Sequence, residues 1–348
     1  MSDDINRILI GSVVRKTIAD AQNSPGRSVR NLVDAGVNFA KGSFQKRFLG
    51  DIQTILQNED SAYYDLAKDI LSNVDRHILF TLGMNLGYNG CTKGVKTIRE
   101  TEKKKGFHVP WALALRIYSE EPGIRTEDYL QIFREGTALG VYTYLVFLKG
   151  KMSENTEKML LEVLRKQAEC AFVLYTDRGR MSPVFIRAAG GCGNVMIAVP
   201  DDEYMAENCR NLRKARMLYG IYSRYGEQER ENILNGMWLS GIRALQPQFA
   251  FLVGKNEILS QTAQEIYQYV RKVRQNQQHP VICIDVRQDA KVIDQAMSCD
   301  GNIFREPLVL ELAEDGGEGK YVRESDGQKP DNRYNSLEEV FRMTEMKN

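Results

Sequence analysis

The sequence has few of the residues that usually build metal centres or hydrolytic sites. Its 348 residues include three histidines and six cysteines. His77, His108 and His279 are far apart and have no evident nucleophile beside them, which argues against a histidine-driven triad. No two cysteines have the close spacing of a zinc site, and six thiols in a chain this long do not form a disulfide framework. The cysteines are Cys91, Cys170, Cys192, Cys209, Cys283 and Cys299.

Long apolar runs and a strong net charge are also lacking. No run approaches the roughly 20 apolar residues of a transmembrane helix. The first residues, MSDDINRILIGSVVRK, do not have the long apolar core of a secretory signal. The formal net charge of +1 gives no strong field for nucleic acid or an anionic membrane. We therefore expect a cytoplasmic protein with reduced thiols and no nucleic-acid partner.

What the sequence does contain is a regular alternation of two patterns. From His108 onward, short apolar runs rich in β-branched and aromatic residues alternate with amphipathic helical stretches. This alternation indicates a parallel β/α sheet or barrel, and the connections are long enough for the crossovers that parallel strands require. Six strands are predicted in this series, at 108–118, 141–148, 170–176, 194–199, 218–223 and 248–253. A further strand is predicted at 280–286, and residues 303–312 are predicted to pair with 320–323 in a hairpin.

The pattern divides the chain into three parts. Residues 1–105 have helical spacing, with a break predicted around residues 87–90. Residues 106–278 contain the six β/α units, and residues 279–348 form a smaller extension. The predicted fold class is α/β, a (βα)6 partial TIM-like barrel with a helical N-terminal region and a small α+β C-terminal extension.

Five segments carry a resemblance to a known family of barrel enzymes. In chain order they are GYNGCTKGVKTIRETEKKKGFHVPW at 87–111, ALGVYTYL at 138–145, FVLYT at 172–176 followed by Asp177, YGIYS at 219–223 and FAF at 249–251. They resemble the barrel entry and the second, third, fifth and sixth units of a clostridial-type branch of the radical SAM enzymes. The resemblance extends from about Phe44 to Met343. It implies a helical N-terminal region, a six-unit partial barrel and a C-terminal auxiliary-cluster extension.

The motifs that give that family its chemistry are absent from this sequence. The family binds a four-iron cluster through Cys-x3-Cys-x2-Cys after the first strand, where this chain has IYSEEPG at 117–123. The family's Gly-Gly-Glu-Pro motif, which holds S-adenosylmethionine, is replaced by LKGK at 148–151. The cysteine-rich tail is reduced to Cys283 and Cys299. We therefore expect neither a 4Fe-4S cluster nor S-adenosylmethionine as a cofactor.

Polar residues follow each predicted strand at the end where β/α folds bind ligands. Both signs of charge meet there, so the binding of a small anionic ligand is one interpretation. The other is that these charges only hydrate the loops or pair with one another. The candidate ligand-binding residues are Arg116, Glu120, Lys149, Asp177, Arg178, Arg180, Asp201, Arg224 and Lys255. No catalytic residue is assigned.

Two other motifs are better explained as structure. Asp201-Asp202-Glu203 has the carboxylates that a divalent cation needs, but it precedes a predicted helix, where acidic residues stabilise the N-terminal dipole. The run GGCGN at 190–194 precedes a strand rather than a helix, which favours a turn over a phosphate loop. No metal site is predicted.

Binding rather than redox catalysis is the function that these observations predict. The first hypothesis is a pseudoenzyme, a non-redox binding or regulatory protein with an active relative as its partner. The alternative is a repurposed enzyme or small-anion-binding protein that uses the charges at the barrel mouth. Basic residues among apolar ones in the N-terminal helices, such as Arg15 and Lys46, also fit peripheral membrane contact. Packing of these helices on their own domain is the favoured explanation.

Overall fold

One curved sheet carries the fold. Its strands in chain order are β1 (Ala112–Tyr118), β2 (Thr143–Lys149), β3 (Ala171–Tyr175), β4 (Val195–Pro200), β5 (Tyr219–Tyr225), β6 (Phe249–Gly254), β7 (Ile282–Asp285), β8 (Val309–Leu312), β9 (Tyr321–Arg323) and β10 (Arg333–Tyr334). They lie in the order β10-β9-β8-β1-β2-β3-β4-β5-β6-β7. Strands β1 to β8 pair in parallel, whereas β9 and β10 extend the sheet in antiparallel fashion from β8. The α/β class is therefore confirmed.

The computed structural model describes most of the chain, namely residues 2–20, 30–31, 33–34, 50, 53–54, 57–119, 126–255, 258–299, 308–312, 321–323 and 333–346. The candidate residue Glu120 lies outside the described residues.

Helices alternate with the parallel strands. They are α1 (Ser2–Asp20), α2 (Tyr63–Asn73), α3 (Arg76–Gly83), α4 (Val95–Lys105), α5 (Thr126–Leu139), α6 (Glu154–Lys166), α7 (Pro183–Cys192), α8 (Met205–Lys214), α9 (Glu227–Leu234), α10 (Met237–Ile242), α11 (Ser260–Asn276), α12 (Val286–Met297) and α13 (Leu337–Met346). No helix in the described part of the chain is both long enough and apolar enough to cross a membrane.

The parallel sheet has eight strands rather than the six predicted for the barrel, because the strands predicted at 280–286 and 303–312 join it as β7 and β8, and β8 pairs with β9 in the predicted hairpin. Strand β7 pairs with β6 at one edge, and β8 pairs with the opposite edge of the predicted barrel, beside β1. Both added strands come from the predicted C-terminal extension. Each has only four residues, and a strand this short does not reveal from its own sequence which partner it joins.

Side chains that meet across several strands show that the sheet is strongly curved. The Tyr175 ring on β3 lies 5.4 Å, centroid to centroid, from the Phe251 ring on β6. In a flat sheet these two strands would be about 14 Å apart, because neighbouring strands are separated by about 4.8 Å. The sheet therefore curls as in a TIM-like barrel. Within the described residues β7 pairs with β6 alone, so this barrel is not closed between β7 and β8.

The glycine-rich run at 190–194 ends a helix. Ser182 caps the start of α7 by accepting a hydrogen bond from the Phe185 amide, and Pro183 occupies the first turn, where its missing N–H does no harm. Gly193 ends the helix with a φ of 76°, a left-handed conformation that favours glycine. The run is thus the last turn of α7 and its cap, which lead into β4, where the sequence pattern predicts a turn.

The predicted break at residues 87–90 is instead a continuous π-helix, Met84–Gly94, that joins α3 to α4. Asn85 and Asn89 on this segment are buried, and their amide groups donate 2.8 Å hydrogen bonds to three carbonyl groups ahead of β3. These tertiary hydrogen bonds compensate for the low helix propensity of the glycines. The carbonyl oxygens belong to Ala168, Glu169 and Cys170.

A buried histidine joins the helical region to the barrel. The His108 imidazole contacts the Glu102 carboxylate on α4 at 2.6 Å and the Asp294 carboxylate on α12 at 2.8 Å. Asp294 also accepts a 2.9 Å hydrogen bond from the Trp111 amide, just before β1. Burial by itself lowers the pKa of His108, but its hydrogen bonds to Asp294 and Glu102 outweigh that effect and raise the pKa to about 9.

Candidate functional site

The strands present alternate side chains to the helices and to the concave face of the barrel. On β2, the Tyr144 ring packs on Phe133 of α5, with a centroid separation of 4.7 Å, so Tyr144 faces the helix layer. Phe147 is three residues further along the strand and therefore faces the concave side. Residues in register on neighbouring parallel strands share a face, which extends this assignment around the sheet.

Aromatic rings fill part of the concave face. Phe147 stacks on Tyr175 of β3 at 4.4 Å, and Tyr175 meets Tyr222 of β5 at 5.6 Å in an edge-on contact. Phe251 of β6 completes the group, which we call the aromatic floor. Tyr175, Tyr222 and Phe251 are at most 4% exposed, whereas Phe147 is only half-buried. The floor is therefore accessible near β2.

Arg116 lies on the same face beside the aromatic floor. It is in register with Phe147, and its guanidinium forms an ion pair with Glu311 of β8. The Tyr118 hydroxyl group donates to the same carboxylate at 3.2 Å. The side chains of Arg116 and Glu311 remain 18% and 22% exposed, so this ion pair borders the concave face and is not sealed in the core.

Two more cations stand above the aromatic floor. Lys149 follows Phe147 by two residues on β2, and Arg224 follows Tyr222 by two residues on β5. A separation of two residues keeps a side chain on the same face and moves it about 7 Å toward the end of the strand. Arg224 is exposed. The concave face thus has an aromatic level with a cationic level above it, nearer the barrel mouth.

Asp177 connects the loops at the mouth. One carboxylate oxygen accepts a 2.8 Å hydrogen bond from the Gly150 amide after β2, and the other accepts one from the Arg178 amide at 2.9 Å. Asp177 therefore fixes the loop that follows Lys149 against the loop that follows β3. The Arg178 side chain beside it is exposed.

Three predicted site residues are instead engaged in contacts with the outer helices. Arg180 pairs with Glu207 of α8 at 3.0 Å, and Lys255 pairs with Glu229 of α9 at 2.6 Å. Asp201 accepts a 3.0 Å hydrogen bond from the Trp238 indole of α10, and burial raises the pKa of its carboxyl group. The neighbouring Asp202 accepts hydrogen bonds from the amides of Tyr204 and Gly179, so the acidic run at 201–203 stabilises a turn.

Glu311 and the aromatic floor were not among the residues singled out from the sequence. The floor residues lie inside apolar strands, where they have the composition of an ordinary core. The one available signal is on β1, where Arg116 and Tyr118 alternate with apolar residues in ALALRIY. A polar residue in the middle of a buried strand indicates a face that is not entirely core.

The residues present do not fit the iron–sulfur cluster of the family that the sequence resembles. The segment Ser119–Arg125 after β1 contains no cysteine. Burial raises the pKa of four thiols to about 12, which disfavours the thiolate that a cluster needs; these are Cys91, Cys170, Cys209 and Cys283. In the described ranges no three His, Cys, Asp or Glu side chains are grouped so that they could hold a metal ion.

Comparison with known proteins gives structural matches only. No protein-family model matches the sequence, and no curated protein matches it. Solved structures of SuiB from Streptococcus suis are similar to this chain. SuiB bound to S-adenosylmethionine has 10% identity and a TM-score of 0.47, over 69% of this chain and 67% of SuiB. SuiB bound to its precursor peptide SuiA has 10% identity and a TM-score of 0.47, over 67% and 64%. A further SuiB structure has 8% identity and a TM-score of 0.46, over 92% and 78%.

Proposed function

We propose that this chain is a cluster-less, radical SAM-like pseudoenzyme that binds a small anionic ligand on the concave face of its barrel, without redox chemistry. The ligand combines a flat apolar group, which packs on the accessible edge of the aromatic floor at Phe147, with an anionic group, which meets Lys149 and Arg224. One observation carries the proposal: on both β2 and β5 an aromatic residue is followed, two residues later on the same face, by a cation.

The aromatic level and the cationic level bind different parts of the ligand. Aromatic rings bind flat apolar groups through area burial and stacking, while a guanidinium or ammonium group recognises an anion through charge-assisted hydrogen bonds. The ion pair of Arg116 with Glu311 borders the same face and adds polar groups that can orient a ligand. This arrangement supports a small ligand better than a protein partner, because the polar groups lie on the concave face of the sheet.

We expect 1-anilinonaphthalene-8-sulfonate, which has a flat apolar body and one sulfonate, to bind the folded protein saturably. The variant Arg224→Glu places a negative charge where the sulfonate binds and should weaken the affinity at least about tenfold. Fluorescence titration measures the affinity, and higher salt should weaken the binding to the wild-type protein because screening acts on this charge contact.

The matched control is Arg271→Glu. Arg271 is exposed on α11, away from the concave face, and its substitution changes the net charge by the same amount. Near-ultraviolet circular dichroism checks that each variant keeps its tertiary packing, since partly unfolded proteins also bind this dye. Equal affinities for the Arg224→Glu and Arg271→Glu variants would overturn the proposal.

A further inference from the structure

A second concavity lies at the end of the barrel opposite the mouth. It is a cleft of about 240 Å³, located where β6 and β7 begin. Leu239, Ile242 and Val281 contribute apolar walls and are themselves at most 7% exposed. These walls belong to the rigid core, so the cleft has a fixed apolar side. None of the residues of the aromatic floor takes part in it.

Charges of both signs lie at this cleft. Asp65 on α2 and Arg243 after α10 both line it and are both exposed. Among the described residues, neither side chain makes an ion pair or a hydrogen bond. Asp69, which also lines the cleft, differs because it pairs with Arg213 at 2.6 Å and accepts a hydrogen bond from Gln248 at 3.0 Å. Asp65 and Arg243 are therefore available to a ligand.

His279 also lines this cleft and has a buried ring nitrogen. Its Nδ1 has no hydrogen-bond partner within the part of the chain that the structure describes. Burial lowers the pKa of His279, and the charge of Arg243 lowers it further. A buried nitrogen without a partner is costly.

We propose that this cleft binds a free α-amino acid with an aliphatic side chain. The amino acid's carboxylate pairs with Arg243, its ammonium group pairs with Asp65, and its side chain packs on Leu239, Ile242 and Val281. The volume supports a ligand of this size, because pockets for drug-sized molecules usually begin at about 300 Å³. The site is separate from the barrel mouth and does not depend on the function proposed for it.

Calorimetric titration with L-leucine tests this site. We expect saturable binding that weakens at least about tenfold in Arg243→Gln and in Asp65→Asn, since each variant removes one charged partner of the zwitterion. Both residues are exposed, so the variants should fold normally. The control Arg271→Gln should bind L-leucine like the wild-type protein.

Two analogues separate the roles of the two charges. Isocaproate lacks the ammonium group, so its affinity should not respond to Asp65→Asn. Leucinamide lacks the carboxylate, so its affinity should not respond to Arg243→Gln. The dye affinity at the barrel mouth should be unchanged in both variants, which distinguishes failure at one site from failure at the other. The absence of saturable binding at millimolar L-leucine, or binding that neither variant weakens, would overturn the proposal.

Discussion

Replacing His108 with leucine is expected to lower the free energy of unfolding by about 3–5 kcal/mol, because it leaves two carboxylates without their cation in a buried position. The His108 side chain is 5% exposed, and those of Glu102 and Asp294 are 8% and 12% exposed. The three residues join α4, the entry to β1 and α12. Urea denaturation of the wild-type and variant proteins near neutral pH measures the loss.

The same contact predicts how stability depends on pH. The pKa of His108 rises from an ordinary 6.5 to about 9 in the folded protein. The protonated form therefore stabilises the fold fully below about pH 6.5, and this contribution is lost as the pH rises through about 9. A rise in pKa of this size corresponds to about 3 kcal/mol. The difference in stability between the wild-type protein and His108→Leu should shrink over that range.

His77 offers the matched control, because it is an exposed histidine on α3. His77→Leu should change the free energy of unfolding by no more than about 0.5 kcal/mol, as is usual for a surface substitution. Two results would contradict the view that the buried ionic contact holds the helical region to the barrel. One is that His108→Leu lowers the free energy of unfolding no more than His77→Leu does. The other is that the effect of His108→Leu does not vary with pH.

Gly94→Ala is expected to destabilise the protein by about 2–3 kcal/mol, since overpacking forces the backbone to move. A Cβ atom at Gly94 would lie 2.4 Å from the Gly140 carbonyl oxygen and 2.9 Å from the Asn89 carbonyl oxygen. Gly140, in the turn before β2, has a φ of 100°. The shape of this turn therefore depends on a left-handed backbone conformation at Gly140. Neither the π-helix at Gly94 nor the turn at Gly140 can move away without disturbing the contact of the π-helix with the barrel.

Gly87 on the same π-helix is the control for this substitution. A Cβ atom there would have no neighbour within 4 Å. Gly87→Ala should leave the stability unchanged or raise it by up to about 1 kcal/mol, because alanine has the higher helix propensity. Thermal unfolding of the two variants compares them directly. Equal melting temperatures for Gly94→Ala and Gly87→Ala would show that the close approach of the backbone at Gly94 and Gly140 is not needed for stability.

The sequence pattern predicts the parallel core well, because buried strands such as β2 and β3 are continuous apolar runs between amphipathic helices. It does not predict that β8 adds to the edge beside β1, since the pairing of Arg116 with Glu311 joins residues nearly two hundred positions apart. The π-helix is not predicted from the sequence pattern for the same reason, because it depends on the hydrogen bonds of Asn85 and Asn89 to a segment distant in the chain. Local sequence contains no record of such contacts.

The candidate site was predicted in outline only. Chain order places Arg116, Lys149 and Arg224 near the ends of strands, and the structure places them on the concave face. Asp201 and Lys255 also follow strands, but the Trp238 indole and the Glu229 carboxylate engage them on the helix side. The position of a residue after a strand therefore does not reveal which neighbour will engage its side chain.

The central proposal is that this barrel functions without the iron–sulfur chemistry of the family that its sequence resembles. The most direct test is iron and acid-labile sulfide analysis, with a visible absorption spectrum, of protein prepared and reconstituted under anaerobic conditions. We predict iron far below one cluster per chain and no iron–sulfur absorption band. A stoichiometric cluster that persists after desalting would contradict the claim.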